Sequence, residues 1–283
     1  WPAVIGAAVW QLAPYRFVNL YVRNAFGENT ATLFIPLVFW RFTKLIKQPT
    51  RTNLVWAALS LTGLLLSHNA VSLMILPLLC FYVFLLGANR YTLLAGILAL
   101  GLSAFFWIPA FIEGKYTLRE VVMRGDSFTD GFVYLRQLII PSWGYGVSAR
   151  GPNDGMSFQV GIIQWLVVLL AAVSFARRRL AKLNLLFLLA FAFSVFIMME
   201  ISLPVWQVFT VIKKFQFPWR WLTVSVVAAA FLAAGLSRHF KLARVAALLI
   251  VGLLVLQTMW YWQPKGWIPQ SEPEIIANYT GTT

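Results

Sequence analysis

The segment PYRFVNLYVRNAFGE, residues 14–28, sets Arg16, Arg23 and Glu28 close together, with Tyr15 and Tyr21 beside them. If the segment is helical, Arg16 and Arg23 lie seven apart and share a face. Two guanidiniums on one face can hold a phosphate or diphosphate through paired hydrogen bonds. The same residues also suit an interfacial helix, with snorkelling arginines and aromatic anchors.

Three further stretches carry polar chemistry. Ser67-His68-Asn69 interrupts a long apolar run. A histidine there could bind a headgroup or move a proton, or simply cap a turn. In FQFPWRW, residues 215–221, Pro218 suits the first turn of a helix, and Arg220 stands near exposed backbone donors that favour an anion. Gln216 adds a neutral donor, and Trp219 suits either a site or an anchoring belt. In FFWIPAFIEGKY, residues 105–116, Pro109 ends or kinks a helix just before Glu113. Glu113 is a site carboxylate or the partner of one of the arginines. Asp126, Asp130 and Asp154 follow as loop acids, each readable as a solvated surface group.

Several classes are absent from the sequence. It holds no GxxxxGK[ST] and no HExxH, and its one cysteine, Cys80, sits in an apolar run suited to packing. The two histidines, His68 and His239, are expected on opposite membrane sides, so no metal ligand set is predicted.

The elements that must position these residues are apolar helices. Of 283 residues, 60% are hydrophobic and 11% charged, against about 25% charged in a soluble domain. The bilayer is the solvent such a composition requires, and an all-α polytopic membrane fold follows. The net charge of +14 falls between apolar runs rather than on a polar face, which points to anionic lipid and away from nucleic acid. Thirteen tryptophans fit interfacial belts. Apolar runs predict about nine transmembrane or partial helices, at 1–13, 29–43, 54–67, 70–87, 91–111, 159–176, 183–199, 219–236 and 243–261. One helix over 54–87 would be about 51 Å long, too long for a single span, so a break at 67–69 is expected. With that break, the basic loops around Lys44, Arg90, Arg178 and Arg238 share one side, and all nine acids share the other. The positive-inside rule makes the basic side cytoplasmic, in a multi-pass protein of the cell membrane. A transmembrane domain is expected over 1–262, truncated at its N-terminus. A long extracytoplasmic loop covers about 113–158, and 263–283 begins an outer tail or further domain.

The motifs PYRFVNLYVRNAFGE, LLLSHNAVSLMILP, FFWIPAFIEGKY and FQFPWRWL resemble, over roughly 1–265, a family of bacterial and archaeal multi-spanning proteins. Its members carry the domain label "6-pyruvoyl-tetrahydropterin synthase-related". That family is similar to the GT-C superfamily of membrane glycosyltransferases. Pterin chemistry itself is rejected, because the soluble synthase uses a zinc site of three histidines. The GT-C resemblance implies a polyprenyl-phosphate-linked sugar donor, an extracytoplasmic acceptor, and a carboxylate in the first outer loop as general base or metal ligand, with a divalent metal ion as the possible cofactor. Glu28 is the acid in that position here, although the family's carboxylate could also lie upstream of Trp1. Arg16, Arg23 and Arg220 would hold the lipid phosphate. Tyr21, His68, Asn69, Glu113, Gln216 and Trp219 would shape the substrate site. The rival readings are a flippase or transporter of lipid-linked substrates, and a non-catalytic scaffold whose outer motifs do not converge.

Overall fold

A computed structural model describes residues 1–116, 127–177, 181–238, 240, 242–266 and 271–274. Glu120, Asp126, Arg178, Arg179, His239 and Lys241, which carry part of the expected charge sorting, lie outside the described residues, as does most of the expected tail.

Among the described residues the fold is helical and contains no strand, only a single antiparallel bridge between Tyr145 and Met156. The chain opens with α1 (Pro2–Gln11) and α2 (Pro14–Phe17), and α2 continues into a π-helical turn at Val18–Val22. Then come α3 (Phe26–Lys47), α4 (Arg51–Ser67), α5 (Asn69–Gly87), α6 (Arg90–Leu102) and α7 (Ala104–Ile112). A short α8 (Leu135–Ile139) sits in the long loop. The chain finishes with α9 (Ile162–Ala176), α10 (Lys182–Met198), α11 (Leu203–Val208), α12 (Leu222–Ser237) and α13 (Ala243–Thr258).

Every expected apolar run is helical. Fewer are long enough to cross a bilayer alone. Among the described residues, Asn69–Gly87, Pro218–Ser237 and Arg244–Tyr261 meet that standard by length and composition, and two bent pairs would bring the number to five if each pair were one span. The bends are 65° between α6 and α7 and 92° between α10 and the Glu200–Val208 segment. The break expected near 67–69 is present. His68 is extended, at φ −162°, and its Nδ1 accepts a hydrogen bond from the Val71 N–H at 3.3 Å, capping α5. At the other end of α5, Asn89 caps α6 in a reciprocal pair with Thr92.

The centre of the molecule is α12, buried along most of its length against α1, α9 and α10. Small residues allow the closest approach. A Cβ at Gly6 of α1 would stand 3.0 Å from the Ala230 carbonyl, a packing device suited to helices that gain nothing hydrophobic from meeting in lipid. A second group, α3 to α6, joins the first through a ring cluster. Phe187 and Phe231 stack at 4.2 Å, and Phe39 lies 4.9 Å from Phe231 and 5.0 Å from Tyr82.

Polar side chains within the helices satisfy each other. Ser194 and Ser225 are 2.8 Å apart, Thr43 meets Tyr82 at 2.7 Å, and Gln257 donates to Gln164 at 3.1 Å while Gln164 donates to the Val9 carbonyl. Paired in this way they bind helix to helix, as apolar surroundings require of any buried polar group.

Candidate functional site: a buried carboxylate among guanidiniums

Glu28 occupies the first turn of α3, where the helix dipole favours a negative charge. Its side chain is only 2% exposed. Arg23 grips it with both terminal nitrogens, Nη1 to Oε2 at 2.7 Å and Nη2 to Oε1 at 2.8 Å. This is the bidentate fork that makes arginine a strong carboxylate partner. Arg220 approaches from the other side, with Nε 3.1 Å from Oε1. The contact is an ion pair off hydrogen-bond alignment, and the Arg220 Nε–H finds no acceptor. The Tyr15 hydroxyl donates to Oε2 at 3.2 Å, and His68 Nε2 lies 3.9 Å from Oε1.

The chain reaches this geometry through a local irregularity. The π turn at Val18–Val22 brings Arg23 over Asn19, whose Oδ1 accepts from Nη1 at 2.5 Å. Asn24 then takes a positive φ of 51°, and α3 begins two residues later. Gly27 is required where it stands, because a Cβ there would lie 2.8 Å from the Ser67 carbonyl. That closeness lets the start of α3 meet the α4–α5 turn carrying His68. On the far side, Gln216 has a positive φ of 70° and reverses the chain before Pro218. Arg220 Nη1 donates to the Phe215 carbonyl at 2.8 Å across that reversal. Trp219 is buried and forms the floor, its ring 4.4 Å beneath the Arg23 guanidinium in a cation–π contact. Phe158 of the long loop packs on Trp219 at 5.6 Å, and Ser148 accepts its indole N–H at 3.2 Å.

Electrostatics fix the protonation states. Burial by itself would raise the Glu28 pKa. The Arg23 hydrogen bonds and charge, then the Arg220 charge, outweigh it and hold the carboxyl below its usual value. Burial lowers the His68 pKa, Glu28 opposes this, and the two arginines reinforce it, so the imidazole is neutral. Nδ1 accepts the Val71 bond, which leaves the proton on Nε2, facing Glu28. Burial and then the Glu28 charge push the Tyr15 hydroxyl well above its usual value, so it stays protonated.

Of the sequence-predicted residues, Glu28, Arg23, Arg220, His68 and Trp219 come together. Three of the four polar motifs therefore meet at one end of the helices. Arg16 does not join Arg23 in a shared clamp. It donates to Thr32 Oγ1 and faces the Trp10 ring, because the π turn breaks the regular helix that would have aligned the two. Tyr21 stacks on Phe17 at 6.4 Å, and Tyr15 is the phenol at the carboxylate. Asn69 is exposed at the start of α5. Gln216 contributes its backbone reversal. Glu113 is exposed in the turn after α7, a helix with no buried residue, and pairs with no arginine among the described residues. Sequence reasoning missed Asn19, although its spacing of four from Arg23 was a usable signal.

A carboxylate that receives two arginines and a phenol, and is held ionised, has the geometry of a counter-ion. Three hydrogen bonds and a lowered pKa make it a weak proton acceptor. Among the described residues no group of three or more His, Cys, Asp or Glu could hold a metal ion. Arg23 and Arg220 bring two positive charges to one carboxylate, so one remains in excess there, while Arg16 stands apart on Thr32 with no carboxylate within ion-pair reach among the described residues.

No family model matches this chain, and no solved structure does. One relative, an uncharacterized protein of Lactococcus lactis subsp. cremoris (strain MG1363), is 26% identical over 117 residues. The match covers 38% of this chain and 19% of the relative, so this chain spans a small part of that protein's length.

Proposed function

We propose that this chain is the membrane-embedded part of a GT-C-like glycosyltransferase that takes a polyprenyl-phosphate-linked sugar on the extracytoplasmic face. On this reading all nine apolar runs cross or dip into the bilayer, with the basic loops inside. The observation that carries it is the pair of guanidiniums gathered on the one carboxylate of Glu28, where three of the polar motifs meet.

In the transfer, an acceptor hydroxyl oxygen forms a bond to the anomeric carbon. The bond from that carbon to the phosphate oxygen breaks, and its electron pair leaves with the lipid phosphate. The hydroxyl proton passes to an oxygen of the departing phosphate, which the step itself supplies. The leaving phosphate gains charge, and cations fixed in advance stabilise it without reorganising. Glu28 orients Arg23 and Arg220 for this task. Arg16, which has no carboxylate partner among the described residues, supplies a further cation.

The mutual pairing of Ser194 with Ser225 and of Gln164 with Gln257 speaks against a transport path, which needs polar groups left open to a cargo. The test is transfer of radiolabelled hexose from polyprenyl phosphate in membranes carrying the full-length protein. Arg16→Ala with Arg220→Ala is expected to lower transfer at least a hundredfold. Unchanged transfer in that variant would remove this assignment of the site.

A further inference from the structure

The segment that delivers Arg220 to the site carries a surface of its own. At Met199 the chain turns 92° from α10 and runs through Glu200–Ser202 and α11 into the turn Thr210–Phe215. One side of this segment is anchored. Trp206 is fully buried, stacks on Phe128 at 5.3 Å, meets Phe132 at 5.8 Å, and donates to the Ile197 carbonyl at 3.0 Å. The other side is apolar and uncovered. Ile201, Val208, Phe209 and Val211 are each between 60% and 73% exposed.

We infer that Glu200–Phe215 lies flat in the headgroup–acyl boundary of the outer leaflet and forms the lipid-facing threshold of the arginine site. The angle is that of an element lying along a membrane, given that α10 runs across it. The anchored side rests on the outer loop through Phe128 and Phe132, which keeps the segment at the surface and out of the hydrocarbon centre. The exposed side presents apolar rings and branched chains in the manner of an interfacial helix. Charge agrees, because no acid occurs between Glu200 and Glu272, while Lys213, Lys214 and Arg220 follow the apolar patch. Anionic headgroups are the partner such a surface fits.

The inference rests on the chain being a membrane protein, and it is independent of sugar transfer. Cys80 is the sole cysteine, so Cys80→Ser gives a background for single nitroxide labels. Labels at Val208, Phe209 and, as a control inside an apolar span, Phe81 are compared in phosphatidylcholine–phosphatidylglycerol vesicles. Collision with oxygen and with a water-soluble nickel chelate reports the depth of each. All three positions are exposed, so the labels leave the packing intact.

The expected result places Val208 and Phe209 about 5–10 Å below the headgroups, with Phe81 deeper. Water-like values at 208 and 209 with a deep Phe81 overturn the threshold and leave the membrane reading standing. Depths at 208 and 209 equal to Phe81 also overturn it, by making the segment re-entrant. A water-like Phe81 overturns the membrane reading and the threshold with it.

Discussion

Glu28 and Asp154 are both withdrawn from water, and they respond in opposite directions. Glu28 is the more deeply buried, yet its carboxyl is held below the usual range. Asp154 is half-buried, and burial lifts its pKa above the usual value. The difference lies in what each carboxylate faces. Arg23 and Arg220 bring full positive charges to Glu28. Asp154 receives only neutral donors, Gln137 Nε2 at 2.5 Å and the Ala149 N–H at 2.8 Å. Neutral hydrogen bonds organise a loop without repaying the desolvation of a charge. The first carboxylate holds cations in place, and the second ties one turn of the long loop to α8.

The largest effect follows from removing the charge at the first site. Glu28→Gln leaves two buried guanidiniums facing each other, and breaking a buried pair from one side costs about 3–5 kcal/mol. Thermal unfolding of the purified protein in detergent should show the deepest loss for this variant among single polar substitutions. Adding Arg220→Ala should return part of that loss by removing one of the stranded cations. If the double variant is as unstable as the two losses summed, Glu28 and Arg220 are not coupled.

Gly27→Val comes next, at about 1–3 kcal/mol for overpacking. Its new side chain would collide with the Ser67 backbone, separating α3 from the His68 turn. The expected signature is a lower melting temperature together with weaker binding of polyprenyl phosphate, read by native mass spectrometry. A stability loss with full binding would detach the His68 turn from the site.

The helices were legible because apolar periodicity and length are local properties of the sequence. The break at His68 was legible for the same reason, since a polar trio inside a run too long for one span had to turn. The carboxylate cluster was legible only in its membership. Glu28, Arg23, His68 and Arg220 come from three loops, and sequence spacing says nothing about which loops touch. The pairing of Arg16 with Arg23 failed because it assumed a regular helix where the chain makes a π turn, whose wider ring shifts every side chain after it. Glu113 failed because α7 faces outward after a 65° bend, and no local signal sets the direction of a bend.

The pH response of His68 sharpens the contrast. Its folded pKa is depressed, so the neutral imidazole contributes stability above the unfolded value, about 6.5. That contribution is lost as pH falls through the folded pKa. His68→Gln keeps a side chain able to accept the Val71 N–H and does not titrate. Melting temperature should therefore fall between about pH 7 and pH 5 in the native protein, and fall less in the variant. Equal slopes would show that Glu28 already compensates the imidazolium.

Asp154 gives the smallest effect and the opposite sign. Its folded pKa is raised, so its contribution is present below the unfolded value near 3.8 and lost as pH rises through the folded one. Asp154→Asn removes the charge that burial disfavours and keeps one acceptor, for Gln137 or for Ala149. The two changes oppose each other, and a net change of about 1 kcal/mol or less is expected. Backbone hydrogen exchange at Ala149, measured in the native protein from pH 4 to pH 7 and corrected for intrinsic rates, should show protection declining as pH rises. The Asn variant should show a flat profile. Protection that instead increases with pH would mean that the stronger bond from the Ala149 N–H to the ionised carboxylate outweighs its desolvation, and burial would then not set the response of Asp154.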